Sequence, residues 1–239
     1  MVGRRAAGVP LEHVLGWAEF CGLRIAVGPG VFVPRHRTEL LVRQAATLAR
    51  QGAGPADLTA APARSAASSA GQVLTVVDLC CGSGAVGAAL VAALGRVELH
   101  AVDIDPTAVG CARRNVAAAG GQVYEGDLYE ALPATLRGRV DVLVANAPYV
   151  PTAAIGLLPP EARVHEPRGA LDGGADGLDV QRRVIAAARP WLAPGGHLLV
   201  ETSEHQAPQT VETVAGNGLV PRVAGSEVLE ATVVIGSRG

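Results

Sequence analysis

A glycine-rich loop that begins at an acidic residue is the first motif able to do chemistry. Asp78 is followed by Gly82, Gly84 and Gly87, and the spacing of these glycines matches the dinucleotide-binding fingerprint. Glycines allow a tight turn and a close approach of the backbone to a ligand. The carboxylate of Asp78 would repel a pyrophosphate, and it favours a ligand with a cationic amino group. The structural alternative is a glycine turn that only joins a strand to a helix.

Two other carboxylates follow predicted strands further along the chain. Asp103 ends one strand, where a carboxylate can accept hydrogen bonds from both ribose hydroxyls of a nucleoside. Asp127 follows the next strand and could accept a hydrogen bond from an exocyclic adenine amine, with an Asx turn as the structural alternative. Asp105 precedes Pro106, which is typical of a helix N-cap followed by a proline at the first helical position.

A fourth motif, from Asn146 to Tyr149, offers acceptors for a planar amine. Asn146 has a side-chain carbonyl oxygen, and the backbone carbonyls of the same turn provide a second acceptor. Two acceptors and the ring of Tyr149 would hold an NH2 group and leave its nitrogen lone pair facing an electrophile. The alternative is an ordinary loop in which the tyrosine packs.

The composition is that of a globular chain with little net charge. The 239 residues are 49% hydrophobic and 18% charged, which suits one domain, or one domain with a small appendage. The formal net charge is -2 and the 20 strongly basic residues are all arginines, so a broadly basic nucleic-acid-binding surface is not expected. Aromatic residues make up only 3%, and the core is therefore expected to be aliphatic.

Cysteine usage and hydropathy bear on the cellular compartment. The four cysteines are scattered without a Cys-x-x-Cys pair, so no structural zinc site is predicted and a reducing cytoplasm is indicated. The first eight residues carry two arginines but no apolar core, so no signal peptide is expected. The chain contains no run of about 18 apolar residues, so no membrane span is predicted.

Apolar periodicity and composition divide the chain into three parts. Residues 1–50 are predicted to form an N-terminal hairpin and helix unit. Within it, strands at 23–27 and 31–33 would pair around a Gly-Pro-Gly turn, and a helix would follow at 37–50. Residues 51–72, rich in Ala, Ser, Gly and Pro, are predicted to be a flexible linker.

Residues 73–239 form the third part, in which short apolar runs alternate with helical patterns. Such alternation predicts an α/β domain with a mostly parallel, doubly wound sheet and helices on both faces. Ligands of these sheets bind beyond the carboxyl ends of the strands, where the four motifs lie. The predicted strands are 74–78, 97–103, 122–125, 141–145, 197–201, 220–224 and 231–235, and the predicted helices are 85–94, 106–119, 179–188 and 206–215.

Taken together, the motifs resemble those of class I S-adenosylmethionine-dependent methyltransferases, and more closely those of the PrmC/HemK family of protein-(glutamine-N(5)) methyltransferases. The resemblance extends over residues 10–235 and implies a Rossmann-like methyltransferase domain with a seven-stranded sheet at 73–239. A Pro-Gly-Gly turn at 194–196, before a strand, is also typical of the superfamily. The more specific stretches are 10–20, 33–39, 165–174 and 176–179.

This resemblance implies S-adenosylmethionine as the cofactor and a set of residues that bind it. They lie in the loops that follow successive predicted strands. Asp78, Gly82 and Gly84 would line the methionine end, Asp103 would hold the ribose, Asp127 and Leu128 would hold the adenine, and Cys80 and Asn146 complete the cofactor-binding set.

The resemblance also implies that Asn146, Ala147, Pro148 and Tyr149 hold the acceptor and are the catalytic residues. The implied reaction is methyl transfer to the side-chain amide nitrogen of an exposed glutamine in a protein, such as a translation release factor. Catalysis would depend on positioning and electrostatics. No general base and no metal ion are predicted.

The sequence departs from the family pattern at several points. Ala147 stands where the family has the first of two prolines, so the carbonyl is kept but the fixed φ is lost. Family members normally carry a helical domain before the region that begins here at Pro10, and the segment 51–72 is an insertion. Arg35 and Glu39 would help to close the site, or would simply begin a surface helix.

Other functions fit part of the sequence. A related enzyme could methylate a different planar amine, either in another protein or at N(6) of adenine, although the acidic charge balance disfavours a nucleic-acid substrate. A nicotinamide-dependent oxidoreductase is favoured only by the glycine spacing. A scaffold that binds the cofactor without transferring a methyl group is a further alternative.

Overall fold

The computed structural model describes residues 2–52 and 73–239, and its elements follow the predicted alternation. Every strand and helix predicted after residue 72 is present, although β7 begins five residues earlier than predicted because Leu192 pairs with Val140 across an irregular register. The helices are α1 (Val2–Ala6), α2 (Leu11–Leu15), α3 (Glu39–Gly52), α4 (Ala85–Leu94), α5 (Pro106–Val116), α6 (Pro160–His165), α7 (Asp179–Ala188) and α8 (Ala207–Gly216). The strands are β1 (Trp17–Phe20), β2 (Leu23–Ala26), β3 (Leu74–Leu79), β4 (Val97–Asp103), β5 (Gln122–Glu125), β6 (Val140–Ala145), β7 (Leu192–Thr202), β8 (Val220–Ser226) and β9 (Ala231–Ser237).

Seven strands form one sheet in the order β5-β4-β3-β6-β7-β9-β8. Neighbouring strands from β5 through β7 are parallel, and β9 is antiparallel to both β7 and β8. The mostly parallel, Rossmann-like sheet is therefore confirmed. Because β4 and β6 lie on opposite sides of β3, the strand order reverses at β3. The carboxyl ends of these three strands meet where folds of this kind bind their ligands.

Alternate residues of the central strands pack against helices on opposite faces of the sheet. Val76 of β3 belongs to one hydrophobic cluster with residues of α3 and α4, whereas Val77 belongs to a second cluster with residues of α7 and α8. Leu199 and Leu198 of β7 divide between the two clusters in the same way. Burial on both faces explains why these strands read as continuous apolar runs, and it fixes the strand ends that carry the candidate site.

The N-terminal hairpin has a different partner strand from the one predicted. β2 covers most of the predicted strand at 23–27, but it pairs with β1, and residues 31–33 form no strand. The turn uses Cys21 and Gly22 at φ 50° and 75°, which is the geometry of a tight hairpin turn whose twist matches its strands. A turn does form at Gly-Pro-Gly, where the backbone N–H of Val31 donates to the carbonyl of Gly28 at 3.1 Å, but the predicted strand pairing across it is wrong. The backbone N–H of Val33 donates to Glu166 instead of to a strand.

The N-terminal unit shares the core of the sheet. Phe20 of β1 and Leu41 of α3 belong to the same hydrophobic cluster as Val76 of β3. Helix α3 runs to Gly52, so the predicted start of the linker at residue 51 is two residues too early. The rest of the predicted linker, residues 53–72, lies outside the described residues. No helix in the described ranges combines the length and the apolar character needed to cross a bilayer.

Candidate active site

A cavity of about 830 Å³ opens at the carboxyl ends of β3, β4 and β6. It brings together residues from all four sequence motifs and from the N-terminal unit. Of the predicted site residues, Asp78, Cys80, Gly82, Asp103, Asp127, Leu128, Asn146, Ala147, Pro148 and Tyr149 all line it. Gly84 does not line the cavity, and its contacts lie elsewhere.

The glycine loop after β3 is shaped by contacts with β4 and α5. The backbone N–H of Gly82 donates to Oδ2 of Asp103 at 2.7 Å, which ties the loop to the end of the next strand. Gly84 has φ 76°, and a Cβ there would lie 3.1 Å from the Cα of Ala112 in α5. Gly84 therefore permits the close approach of α4 and α5, and it shapes the loop without lining the cavity.

Asp78 is buried at the end of β3, with only 1% of its surface exposed. Its Oδ2 accepts a hydrogen bond from the backbone N–H of Gly87 at 2.9 Å. Burial raises the pKa of Asp78 to about 7, against the lowering effect of the Gly87 hydrogen bond and with a further rise from the charge of Asp103. A Cβ on residue 87 would lie 3.2 Å from that carboxylate oxygen, so the third glycine of the motif makes room for Asp78.

Asp103 lies at the end of β4 and anchors two turns. Its Oδ2 accepts from Gly82, and its Oδ1 accepts from the backbone N–H of Asp105 at 3.0 Å. Burial raises the pKa of Asp103, although these backbone hydrogen bonds act in the opposite direction. Asp105 caps α5 by accepting from the backbone N–H of Thr107 at 2.7 Å, which confirms its predicted structural role.

Asp127 and Leu128 lie in the turn after β5 and line the cavity. Oδ2 of Asp127 accepts from Arg183 of α7 at 2.6 Å, an ion pair that the sequence did not reveal. Leu128 has φ 49°, an unusual conformation for a branched residue, and its side chain is buried. The turn therefore holds an apolar side chain and a carboxylate together at the cavity wall.

The chemistry of this part of the cavity fits S-adenosylmethionine. That cofactor carries an ammonium group, a sulfonium and a ribose diol, and ionised Asp78 and Asp103 are pure hydrogen-bond acceptors. Gly82 has φ 54°, and a Cβ there would meet no atom within 4 Å, so the backbone is open to an approaching ligand. The carboxylates would hold the cofactor's donors, and the open loop would accommodate its methionine end.

The loop after β6 presents Asn146 beside the N-terminal unit. Nδ2 of Asn146 donates to Oγ1 of Thr38 at 3.3 Å, which leaves Oδ1 as the end of the amide not engaged with Thr38. Ala147 is buried, and Pro148 follows it, so residue 147 is restrained to an extended backbone conformation. This arrangement offers an acceptor oxygen at the cavity surface.

Tyr149 is held at both its hydroxyl and its backbone. The hydroxyl donates to Oε1 of Glu201 at 3.2 Å, and the backbone carbonyl accepts from Nε2 of Gln206 at 3.0 Å. Burial, together with the charge of Glu201, raises the pKa of Tyr149 to about 12. The tyrosine is therefore neutral at physiological pH, and its ring is fixed by two later segments of the chain.

The stretch 165–179, one of those that carry the family resemblance, packs against the backbone of the Asn146 loop. A Cβ on Gly173 would lie 2.7 Å from the carbonyl oxygen of Pro148, and one on Gly177 would lie 2.4 Å from that of Tyr149. Val150 N–H donates to the carbonyl of Leu171 at 3.0 Å. Glycines are thus required here because a neighbouring backbone approaches too closely for any side chain.

Arg35 and Glu39 behave differently from each other. Arg35 lines the cavity and donates to both carboxylate oxygens of Glu166, at 2.8 and 2.7 Å. Glu39 is absent from the cavity lining and accepts instead from Arg43 at 2.8 Å, so the prediction that it helps to close the site is wrong. Glu39 is the first residue of α3, and its carboxylate pairs with a residue one turn further along the same helix.

Sequence reasoning missed four residues that support the site: Thr38, Glu166, Glu201 and Gln206. Thr38 and Glu166 lie inside stretches that resemble the family, yet neither carries a recognisable chemical signature alone. Glu201 gives a weak signal, because a charged residue at the end of a buried apolar strand needs a partner. Gln206 gives none, since its role appears only when distant loops are brought together.

Comparison with known proteins identifies the family. A model described as methyltransferase small domain matches residues 66–158. A release factor glutamine methyltransferase from Geobacter sulfurreducens is 41% identical over 218 residues, which is 90% of this chain and 67% of the relative. The protein of the same name from Streptomyces coelicolor is 38% identical over 211 residues, 87% of this chain and 68% of the relative. The chain belongs to this family.

Membership makes the chain an S-adenosylmethionine-dependent methyltransferase, and it decides against the oxidoreductase that the glycine spacing also allowed. Solved structures agree on the fold. A methyltransferase from Pyrococcus furiosus is 15% identical, with 99% of both chains covered and a TM-score of 0.62. The ribosomal protein L11 methylase of Lactobacillus delbrueckii is 19% identical, with 90% of this chain and 84% of that chain covered and a TM-score of 0.55.

Proposed function

We propose that this protein methylates the side-chain amide nitrogen of a glutamine in a translation release factor. The proposal rests on the names of its relatives and on one observation in the structure. Asn146 is oriented by Thr38 so that its amide oxygen is left as an acceptor at the cavity surface. An acceptor in that place suits the N–H group of a planar amide.

The cofactor would bind along the ends of β3, β4 and β5. Asp78 would accept from the ammonium group, Asp103 from the ribose hydroxyls, and Asp127 with Leu128 would hold the adenine. When bound, S-adenosylmethionine supplies an electrophilic methyl group on a sulfonium. The protein's contribution is to hold that group and the acceptor in line and to exclude water from the space between them.

The acceptor amide is a poor nucleophile because its nitrogen lone pair is delocalised. Oδ1 of Asn146 and the carbonyl oxygen of Ala147 would accept its two N–H bonds, which orients the nitrogen and favours its pyramidal form. As the new N–C bond forms, the bond from the methyl carbon to the sulfonium sulfur would break and leave a neutral thioether, and the amide nitrogen would release one proton to the solvent. Preorganised acceptors of this kind lower the barrier without a general base.

Two features favour a protein over a nucleic acid as the partner. The net charge is -2, and the cavity lining holds seven carboxylates but only three arginines, Arg35, Arg37 and Arg183. A polyanion would be repelled by this surface, whereas a loop of protein that presents a glutamine would not. A release-factor substrate also implies action in the cytoplasm, in agreement with the scattered, unpaired cysteines.

The test is incubation of the purified protein with a release factor and S-adenosylmethionine labelled in its methyl group. We expect label in the intact release factor and none in a variant whose acceptor glutamine is replaced by alanine. Adenine-containing DNA and RNA serve as competing acceptors. Label in nucleic acid, or equal label in both release factors, would contradict the proposal.

A further inference from the structure

The proposed clamp depends on which end of the Asn146 amide faces the acceptor. The oxygen and nitrogen ends of an asparagine side chain have almost the same shape but opposite hydrogen-bonding roles. An oxygen facing the cavity accepts from a glutamine amide, whereas an NH2 group in the same place would be repelled by it. Something in the protein must therefore fix the orientation of Asn146.

Thr38 is the group in contact with the nitrogen end. It lies just before α3 in the N-terminal unit, is only 2% exposed, and accepts from Nδ2 of Asn146 at 3.3 Å. A threonine hydroxyl has one hydrogen to donate and two lone pairs. Since Oγ1 accepts from Asn146, its own hydrogen must find another acceptor, and a buried hydroxyl rarely leaves that need unmet.

Glu201 is the candidate acceptor for the hydrogen of Thr38. It is the next-to-last residue of β7 and is 2% exposed, and its Oε1 accepts from the hydroxyl of Tyr149. Its Oε2 is buried and makes no hydrogen bond of standard geometry within the described ranges 2–52 and 73–239, so this oxygen needs a donor. Burial raises the pKa of Glu201, while the nearby hydroxyls of Thr38 and Tyr149 and the charge of Arg37 lower it.

We propose that Glu201 sets the orientation of Asn146 through Thr38, and that both are positioning residues for methyl transfer. The carboxylate requires the Thr38 hydroxyl to donate toward it. The hydroxyl oxygen is then available only as an acceptor, so it binds Nδ2 of Asn146 and turns Oδ1 toward the acceptor amide. The same carboxylate holds Tyr149, so a single buried charge fixes both ends of the clamp.

This inference rests on the proposed role of Asn146 as an acceptor, and it adds a consequence for specificity. A clamp that presents two oxygens repels a carboxylate, so the enzyme would distinguish glutamine from glutamate. If the Asn146 amide can rotate, its NH2 end is able to pair with a carboxylate and that distinction weakens. Loss of discrimination is therefore a readout that a purely structural role would not change.

The central variants are Thr38→Val, which keeps the shape and removes the hydroxyl, and Thr38→Ser, which keeps the hydroxyl. With a release factor and saturating cofactor, we expect Thr38→Val to lower kcat by about tenfold to a hundredfold and Thr38→Ser to stay within about threefold of wild type. Glu201→Gln should resemble Thr38→Val, because its NH2 group would donate to Thr38 and reverse the hydroxyl. Thr47→Val, on an exposed face of α3, is the matched control.

A competition experiment reports on the orientation itself. A release factor whose acceptor glutamine is replaced by glutamate should inhibit the wild-type and Thr38→Ser enzymes weakly, and the Thr38→Val enzyme more strongly relative to its KM for the natural acceptor. Unchanged relative inhibition in Thr38→Val, or a kcat within about twofold of wild type, would overturn the inference. An equal loss of kcat in Thr38→Ser would also overturn it.

One measurement separates the failure of this inference from the failure of the proposed function, since it needs no acceptor. Hydrogen exchange of the Asn146 side-chain NH2 group, followed by NMR on the whole protein, should be slowed in wild type and Thr38→Ser and fast in Thr38→Val and Glu201→Gln. Fast exchange in wild type would overturn the relay even if release factors are methylated. Slow exchange without methylation would leave the relay standing and reject the substrate.

Discussion

The two halves of the cavity are built in different ways. In the cofactor half (Asp78, Gly82 and Asp103), the carboxylates bond to backbone N–H groups only 9 and 21 residues away. In the acceptor half (Asn146 to Tyr149 with Thr38 and Glu201), side chains bond across 108 and 52 residues. The first half is assembled from strand ends and turns, and the second from distant segments that meet only in the folded protein.

Because the two halves are built differently, we expect them to have separate tasks, cofactor binding in one and methyl transfer in the other. Backbone hydrogen bonds from the glycine loop and from the first turn of α4 hold the carboxylates of the cofactor half in place. The acceptor half depends on side-chain contacts with the N-terminal unit and with β7, and on backbone packing against the stretch 165–179. We therefore expect substitutions in one half to change cofactor binding, and substitutions in the other to change methyl transfer.

The largest expected effect is that of Asn146→Ala. Removal of a preorganised acceptor should lower kcat by about a hundredfold to a thousandfold, because the acceptor amide loses one of its two hydrogen-bond partners. The dissociation constant of S-adenosylmethionine, measured by calorimetry, should change little. Asn217→Ala at the end of α8 is the matched control. An Asn146→Ala enzyme with near wild-type kcat would contradict the clamp.

Asp78→Asn should produce the opposite pattern. Loss of a charged hydrogen-bond acceptor should weaken cofactor binding by about tenfold to a hundredfold. Asp141→Asn, at the amino end of β6, provides the same exchange away from the cavity. Cofactor affinity that is unchanged in Asp78→Asn would show that Asp78 does not bind the ammonium group.

Cofactor affinity should also depend on pH through Asp78. Its pKa is about 7 in the free protein, and a bound ammonium group would lower that value by stabilising the ionised form. Protonation therefore competes with binding, so affinity is highest above pH 7 and falls by up to about tenfold per pH unit below it. Asp78→Asn should abolish this fall, and a flat profile in the wild type would contradict the assignment.

Gly177→Ala should damage the acceptor half through its backbone. Residue 177 has φ 82°, and a Cβ would lie 2.4 Å from the carbonyl oxygen of Tyr149. We expect the free energy of unfolding to fall by about 1–3 kcal/mol. Gly156→Ala is the control, because a Cβ there meets no atom within 4 Å. Equal thermal stability of the two variants would show that the Tyr149 backbone is not confined in this way.

The smallest expected effect is that of Ala147→Pro, which restores the proline of the family motif. A proline that fits its position reduces the freedom of the unfolded chain and stabilises a protein by about 0.4–1 kcal/mol. Thermal unfolding and kcat measured together would show whether the less rigid turn costs activity. A loss of stability would indicate that the backbone conformation at residue 147 is one that proline cannot adopt without strain.

The contrast between the cofactor half and the acceptor half also explains which features could be predicted from the sequence. The strands and helices of the sheet, and the residues that end β3, β4 and β6, follow from local apolar runs and from turn residues. The partner of β2 could not be predicted, because Gly28 to Gly30 and the pair Cys21 and Gly22 both form turns, and only packing decides which turn joins two paired strands. Glu39 was assigned to the site in place of its neighbour Thr38, since the sequence does not reveal which side of a helix start faces a loop more than a hundred residues away.

Single-turnover methyl transfer at increasing S-adenosylmethionine concentration tests the division between the two halves most directly. We expect the defect of Asp78→Asn to shrink as the cofactor approaches saturation, because that variant binds the cofactor weakly. The defect of Asn146→Ala should persist at every concentration, because its acceptor is held poorly. Recovery of Asn146→Ala at high cofactor, or no recovery of Asp78→Asn at saturation, would contradict the separate roles of the two halves.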